Sequence, residues 1–231
     1  MGEWTAKGVH TVTKLHVRGA VLAAVMTAAC GLLAAPAATA EVAPFPALAL
    51  PFKAGQQVYS AGIHSDDGST GVKNALDLSP ADRTVRAPLA GTVHLQHCAG
   101  GDWVTIDHAG GWRTGYYHME DIKVTDGEQV EAGDELGSTG NALPCGGSST
   151  GAHVHFTLWT LPDAAAPEAN WDGLAYSRVS TTVAAALGEP IDGKTLGGWL
   201  FTAGADQYTG TATHLSDHAV TQLPGHFRAK L

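Results

Sequence analysis

Residues 102–119 read DWVTIDHAGGWRTGYYHM, two segments rich in apolar residues on either side of a short glycine-containing turn. Valine, isoleucine, tryptophan and tyrosine favour strands, and the HAGG segment supplies the residues that a tight turn needs. The stretch therefore predicts a β-hairpin. A short turn can join antiparallel strands, whereas parallel strands need a crossover of a dozen or more residues.

The sequence around the hairpin continues this pattern. From residue 53 to about 160, strand-like segments such as 84–98 and 153–159 alternate with turns, among them glycine-containing turns at 126–127 and 132–133. The chain has 29 glycines, few long amphipathic helical segments and no room for helical crossovers. We therefore predict an all-β fold of antiparallel sheets with few helices.

The N-terminal 40 residues have the pattern of a signal peptide. Three basic residues come first: Lys7, Lys14 and Arg18. The apolar run 19–35 and the small residues 38–40 follow. The apolar run is short for a membrane span and ends at Pro36, which disfavours an N-terminal anchor. We predict cleavage after Ala40 and a secreted, extracellular bacterial protein.

Composition divides the rest of the chain and limits its partners. Residues 41–52 are rich in proline and alanine and predict an extended lead-in, and residues 53–231 predict a single domain with a core at 53–160 and a C-terminal extension at 161–231. Residues 1–40 hold three of the 13 basic and one of the 22 acidic residues, so their removal changes the formal net charge from −9 to −11. This acidity argues against binding nucleic acid, or a membrane surface after signal removal.

Two cysteines remain after the predicted cleavage, because Cys30 lies in the signal segment. An even pair in an oxidising compartment predicts a disulfide between Cys98 and Cys145. It would close a loop of about 46 residues, worth roughly 4 kcal/mol in the chain-entropy model. The alternative is a pair of free, buried thiols.

A set of histidines and one aspartate predicts a metal site. His153 and His155 alternate in an apolar strand-like run, so both lie on one face. Catalytic zinc takes three nitrogen or oxygen ligands and an open fourth position. His64, Asp77 and one of the two alternating histidines would supply them. The other, together with His118, could then act as general base and transition-state stabiliser.

Each of these residues also has an ordinary interpretation. Asp77 could lie on a surface, Asp66 and Asp67 are rival carboxylates in a predicted turn, and His118 could be a strand-end histidine with a satisfied hydrogen bond. Three histidines of the strand-rich region are expected to face solvent or to form local hydrogen bonds: His94, His97 and His108. His214 and His218 are four residues apart and would suit a metal only in a helix, whereas their segment favours a strand. No H-E-x-x-H helix occurs.

Taken in order, three motifs resemble a known family. IHSDDGSTGVKNALD (63–77), GYYHM (115–119) and CGGSSTGAHVHF (145–156) resemble the lysostaphin-type zinc endopeptidases, metallopeptidase family twenty-three, and most closely its staphylolysin or β-lytic branch. The wide sequence spacing between His64 and Asp77 is similar to the spacing found in that branch. The resemblance implies antiparallel sheets that form an open groove, of the duplicated-hybrid-motif type, and a single metallopeptidase domain at 53–231.

The resemblance also implies roles for individual residues. His64, Asp77 and His155 would bind one Zn²⁺ per chain, and His118 and His153 would be catalytic without binding the metal. His153 is expected to accept the proton and His118 to stabilise the oxyanion, although the two roles could be reversed. Because the ligands must be neutral imidazoles, metal binding and activity are expected to fall below about pH 6.

Two further features follow from the same resemblance. Tyr117 would contact substrate, and a second tyrosine beyond the HVH strand would be Tyr176 or Tyr208. The two cysteines lie where the β-lytic branch has a disulfide.

The implied function is hydrolysis of peptide bonds in bacterial peptidoglycan, in the cross-bridge or the stem peptide, with glycyl bonds favoured, by a secreted monomer. One alternative is an inactive family member that binds the wall or activates another hydrolase. Another is a D-alanyl-D-alanine dipeptidase or carboxypeptidase, which needs a Glu-x-x-His element. None follows His118.

Overall fold

The computed structural model describes residues 42–65, 71–161 and 187–229. These ranges contain fifteen strands: β1 Gln57–His64, β2 Ala75–Pro80, β3 Thr84–Arg86, β4 Gly91–Cys98, β5 Gly101–His108, β6 Trp112–Tyr117, β7 Gln129–Val130, β8 Glu135–Ser138, β9 Val154–Thr160, β10 Leu187–Gly188, β11 Thr195–Leu196, β12 Trp199–Ala203, β13 Gly210–His214, β14 Val220–Leu223 and β15 Gly225–Arg228. No helix in this part of the chain is long and apolar enough to cross a membrane.

The strands form three antiparallel sheets. The main sheet has the order β15-β1-β2-β9-β6-β5-β4-β7, and β10 pairs with β9. A four-stranded sheet has the order β11-β12-β13-β14, and β3 pairs with β8 in a two-stranded sheet. The predicted all-β antiparallel fold is therefore confirmed, and the signal peptide predicted at residues 1–40 lies outside the described residues.

The hairpin predicted at residues 102–119 forms as β5 and β6. Val104 pairs with Tyr116 at one end of the ladder, and His108 pairs with Trp112 at the turn. Gly110 and Gly111 in the turn have φ angles of 82° and 79°, which glycine adopts without the steric cost of a Cβ.

Strand β9 lies in the middle of the main sheet and presents side chains to both of its faces. Val154, Phe156 and Leu158 point to one face and are fully buried in the hydrophobic core. His155 points to the other face, because side chains alternate along a strand. The same alternation that builds the core thus presents histidine on the opposite face.

The lead-in packs closely against the rest of the protein. The Ala43 N–H donates to the Gly110 carbonyl, the Trp112 indole N–H donates to the Ala43 carbonyl, and Leu48 forms a bridge with Leu196. Three apolar side chains of the lead-in are buried: Leu48, Leu50 and Phe52. It therefore contributes to the core and contacts both the β5–β6 turn and the four-stranded sheet.

The C-terminal residues complete the main sheet at its edge. Strand β15 pairs antiparallel with β1, with Gln57 opposite Arg228 and Ser60 opposite Gly225. The loop between β12 and β13, residues 204–209, reaches the end of β1 through a hydrogen bond from the Tyr208 N–H to the Ile63 carbonyl. This contact brings a C-terminal loop beside the histidine that follows Ile63.

Candidate metal centre

Three adjacent strands bring His64, Asp77 and His155 to one face of the main sheet. Asp77 of β2 lies directly opposite His155 of β9, and Gly62 of β1 lies opposite Asp77. His64 is two residues beyond Gly62 and therefore shares its face. A register shift between Ser60 and Gly62 marks a bulge in β1, a feature that commonly redirects side chains beside functional sites.

The donor atoms of these three residues, here called the metal centre, converge. His64 Nε2 and His155 Nδ1 each lie 3.0 Å from Asp77 Oδ1, and one donor atom from each residue lies within 4.8 Å of the others. The donors of a regular tetrahedral zinc site, each about 2.0–2.1 Å from the metal, are roughly 3.3–3.4 Å apart. The observed separations are close to that spacing.

The hydrogen bonding of His64 leaves one nitrogen available for a metal. Its Nδ1 lies 3.0 Å from the Ser65 carbonyl oxygen, which can only accept, so in the neutral ring Nδ1 carries the proton and Nε2 has the lone pair. Nε2 is buried, makes no hydrogen bond and lies 3.0 Å from Asp77 Oδ1. A buried imidazole nitrogen that makes no hydrogen bond and lies beside a carboxylate fits a metal ligand.

The three residues are almost completely buried: the exposed fractions of His64, Asp77 and His155 are 6%, 7% and 4%. Burial alone would raise the pKa of Asp77, but its contacts with His155 and His64 hold that pKa well below its usual range. Asp77 is therefore ionised at neutral pH. Two imidazoles and one carboxylate form a donor set that suits zinc and leave a fourth coordination position for another group.

His153 and His118 lie beside the metal centre. His153 is two residues before His155 on the same face, and its Nε2 is 3.6 Å from Asp77 Oδ1. The His118 and His153 ring centroids are 4.6 Å apart, and those of His118 and His155 are 6.0 Å apart. The structure thus brings all five predicted histidine and aspartate residues together.

The two flanking histidines have the same tautomer. His118 Nδ1 lies 2.9 Å from the Ala142 carbonyl oxygen, and His153 Nδ1 lies 2.7 Å from that of Gly151. Both Nδ1 atoms therefore donate, and Nε2 of each neutral ring can accept a proton. Burial lowers the pKa of His118 to about 4, against a weaker opposite effect of its bond to Ala142, so His118 is neutral at pH 7.

Tyr117 lies opposite His155 in the β6–β9 ladder, but only 1% of it is exposed. Its hydroxyl accepts a hydrogen bond from the Cys145 N–H and donates one to the Gly146 carbonyl, each 2.8 Å long. This geometry favours a role in holding the 140–151 loop. Direct contact between Tyr117 and substrate stays a prediction.

The predicted disulfide is present in the same loop. Cys98, at the end of β4, is bonded to Cys145, and their Cα atoms are 5.1 Å apart. The Gly100 N–H donates to the Pro144 carbonyl beside the bond. Together with Tyr117, the disulfide fixes the 140–151 loop next to His118.

Tyr208 is the site residue that sequence reasoning could not single out. Its ring stacks on His64, with centroids 4.4 Å apart and an interplanar angle of 28°. Tyr208 is 45% exposed, and burial together with the Asp77 charge raises the pKa of its hydroxyl. The sequence DQYTG around it carries no motif, and Tyr176, like Asp66 and Asp67, lies outside the described residues.

Four of the five histidines expected outside the site form side-chain contacts elsewhere, and the fifth, His218, is exposed. Their contacts are His94 with Asp107, His97 with Asp102, His108 with the Ala90 carbonyl and Thr114, and His214 with Asp217. Among the described residues, His64, Asp77 and His155 form the one group of three such side chains that could hold a metal ion.

Comparison with known proteins gives a family. The model of Peptidase family M23 matches residues 71–167. The chain is 32% identical to β-lytic metalloendopeptidase of Lysobacter enzymogenes over 122 residues, which cover 48% of this chain and 67% of that protein. It is 40% identical to protease LasA of Pseudomonas aeruginosa over 121 residues, which cover 47% of this chain and 28% of LasA. The matched part therefore spans only about a quarter of LasA.

The fold is also similar to that of a solved structure. Pseudoalterin, an M23 metalloprotease from the deep sea, superposes with a TM-score of 0.62 and 22% sequence identity. The superposition covers 80% of this chain and 99% of pseudoalterin.

Proposed function

The chain belongs to Peptidase family M23, and we propose that it is a zinc metalloendopeptidase that hydrolyses peptide bonds in bacterial peptidoglycan. The bond would lie in the cross-bridge or the stem peptide, with glycyl bonds favoured. The observation that carries this proposal is the convergence of His64 Nε2, Asp77 Oδ1 and His155 Nδ1 beside two further histidines.

His64, Asp77 and His155 would hold one Zn²⁺ through those three atoms, and binding would release the proton that His155 Nδ1 donates to Asp77. When bound, zinc lowers the pKa of a coordinated water to about 7 and polarises a carbonyl group. The bond from His64 Nδ1 to the Ser65 carbonyl fixes the ring so that Nε2 faces the metal centre. The Asp77 carboxylate would balance part of the metal's charge.

His153 would take the proton from the attacking water at Nε2. The Asp77 carboxylate, 3.6 Å from this nitrogen, would stabilise the imidazolium that forms. The Gly151 carbonyl would keep the ring in place through Nδ1. The protonated Nε2 could then donate to the departing amine.

His118 would stabilise the oxyanion, subject to one condition that its tautomer imposes. While Nδ1–H donates to Ala142, Nε2 of the neutral ring is an acceptor, so His118 can donate to an oxyanion only after it gains a proton. The only proton released in this step comes from the attacking water, so His118 would become a donor in the alternative in which it, rather than His153, accepts that proton.

Two loops would border the bound peptide. The 140–151 loop lies beside His118, and the 204–209 loop lies beside His64. We propose that Tyr208, whose exposed ring covers His64, is the second substrate-contacting tyrosine. A peptide between the loops would be thin, and glycyl residues lack the Cβ that would widen it.

An enzyme that cleaves peptidoglycan must leave the cytoplasm to reach its substrate. We propose that residues 1–40 act as a signal peptide cleaved after Ala40 and that residues 53–231, with the lead-in packed into their core, form one domain that works as a monomer. The apolar run at 19–35 and the Cys98–Cys145 disulfide support an extracellular location.

The test is cleavage of defined peptidoglycan and oligoglycine by purified protein, with released fragments identified by mass spectrometry and zinc measured on the same sample. We expect one zinc per chain, fragments cut at a single peptide bond type, loss of cleavage in chelator and recovery with added zinc. Full zinc content without cleavage of either substrate would contradict the proposal and favour the inactive wall-binding alternative.

A further inference from the structure

The 204–209 loop is held against the metal centre by contacts outside its own sheet. The Tyr208 N–H donates to the Ile63 carbonyl over 2.9 Å, one residue before His64. Tyr208 has a φ angle of 65°. A non-glycine residue keeps such a strained conformation only when its surroundings hold it. Further contacts of the loop must therefore stabilise the backbone at Tyr208.

Lys73 supplies the strongest of these contacts. Its ammonium donates to three successive carbonyls of the loop, those of Gly204, Ala205 and Asp206, over 2.5, 3.1 and 2.8 Å. These three bonds use all the donors of an ammonium group, and bonds from a charged donor are stronger than neutral ones. The backbone of Lys73 is fixed in turn, because its carbonyl accepts from the Ile191 N–H.

Gln207 makes a second connection from the same loop. Its Oε1 accepts from the Ser65 N–H over 2.8 Å, and its Nε2 donates to the Ser65 hydroxyl over 3.1 Å. The Ser65 carbonyl is the group that accepts from His64 Nδ1. The residue before Tyr208 thus binds the residue after His64.

The close approach of the loop also restricts β1. A Cβ on Gly62 would lie 1.9 Å from the Tyr208 carbonyl oxygen, and Gly62 has a φ angle of 119°. Glycine at this position therefore lets the loop reach the strand that carries His64. Positive φ angles at Gly62 in the strand and at Tyr208 in the loop accompany this contact.

From these contacts we propose that Lys73 is a positioning residue, whose ammonium fixes the 204–209 loop so that Tyr208 stays stacked on His64 beside the metal centre. Its importance for turnover rests on the proposed function, since Tyr208 can affect hydrolysis only if the metal centre performs it. Lys73 touches neither the metal centre nor the Tyr208 ring in any contact described above. It acts through the loop backbone.

The first test measures kcat and KM on oligoglycine for Lys73→Met, which keeps the aliphatic stem and removes the charge. We expect kcat/KM to fall by at least about tenfold, because small misplacements of a site group cost this much or more. Lys73→Arg should recover part of the loss, and Lys123→Met, at an exposed lysine paired with Glu135, should lose nothing.

Lys73→Met in a Tyr208→Ala background tests whether Lys73 affects turnover through Tyr208 or through a general effect on the structure. If Lys73 acts through Tyr208, Lys73→Met should cause little further loss once the ring is gone. An equal loss in both backgrounds would overturn the proposal.

Amide hydrogen exchange gives a readout that does not depend on activity. Lys73→Met should speed exchange at the Tyr208 and Gly204 amides while β5 and β6 keep their protection, which also shows that the variant is folded. Unchanged exchange in the loop would overturn the proposal. Faster exchange in a protein whose wild type cleaves nothing would instead contradict the proposed function and leave the positioning intact.

Discussion

At the scale of single residues, His118 reaches the metal centre because the backbone leaves the strand at that position. Tyr117 shares its face with His155, so an extended His118 would point away. Its φ angle of 64° returns the side chain to the site, and two hydrogen bonds with Ala142 hold this conformation. Such a conformation costs roughly 1–3 kcal/mol, which the 140–151 loop must offset.

The buried imidazole of His108 makes the stability of the protein depend on pH. Burial lowers its pKa, against weaker opposing effects of the Ala90 carbonyl and Asp107. Between the folded pKa and the unfolded value of about 6.5, the unfolded chain binds a proton that the folded protein does not. The contribution of His108 is thus complete above about pH 6.5 and is lost as the pH falls towards its folded pKa.

We therefore expect the free energy of unfolding to fall between pH 7.5 and pH 5 by less in His108→Gln than in the wild type. Urea unfolding of metal-free protein at both pH values measures this. His97→Gln is the matched control, because His97 is exposed and paired with Asp102. Identical pH dependence in the wild type and His108→Gln would show that His108 does not contribute.

The alternation of His153 and His155 could be predicted from sequence, since strand periodicity is local. Tyr208 could not, because its stacking on His64 depends on a loop from a different sheet. The burial of Tyr117 could not be predicted from the sequence either. It follows from the position of the Cys145–Gly146 backbone, which no local pattern around Tyr117 specifies.

At the scale of elements, the lead-in shows how long-range packing changes the meaning of a segment. Its prolines predict extended backbone, and residues 42–52 contain no strand. Its burial depends on Trp112 and Leu196, which belong to two separate sheets. Composition therefore indicated the local conformation of the lead-in but gave no sign of its place in the core.

We expect Leu50→Ala to lower the free energy of unfolding by about 2–4 kcal/mol, because it leaves a cavity at a residue that is 5% exposed. Urea unfolding midpoints with an unchanged slope measure the loss. Leu215→Ala, at a leucine that is 49% exposed, should change stability by no more than about 0.5 kcal/mol. Equal effects of the two substitutions would mean that the lead-in is not packed in the core.

At the scale of the whole molecule, one continuous sheet carries the metal centre and the two flanking histidines, and two loops border them. Strands β1, β2, β9 and β6 are neighbours in the sheet, and each contributes to the site or leads directly into it. The 140–151 loop is fixed by a disulfide and Tyr117, and the 204–209 loop by Lys73 and Gln207. A continuous sheet with two loops fixed beside it suits a site whose chemistry depends on the relative positions of several side chains.

The central claim is that the two histidines of the HVH strand divide the work, with His155 as a ligand and His153 as the proton acceptor. The most direct test is zinc content and oligoglycine cleavage, measured together, for His153→Ala and His155→Ala. We predict that His155→Ala loses both zinc and cleavage, whereas His153→Ala keeps about one zinc per chain and loses cleavage. Loss of zinc in His153→Ala with retention in His155→Ala, or full cleavage by His153→Ala, would contradict this account.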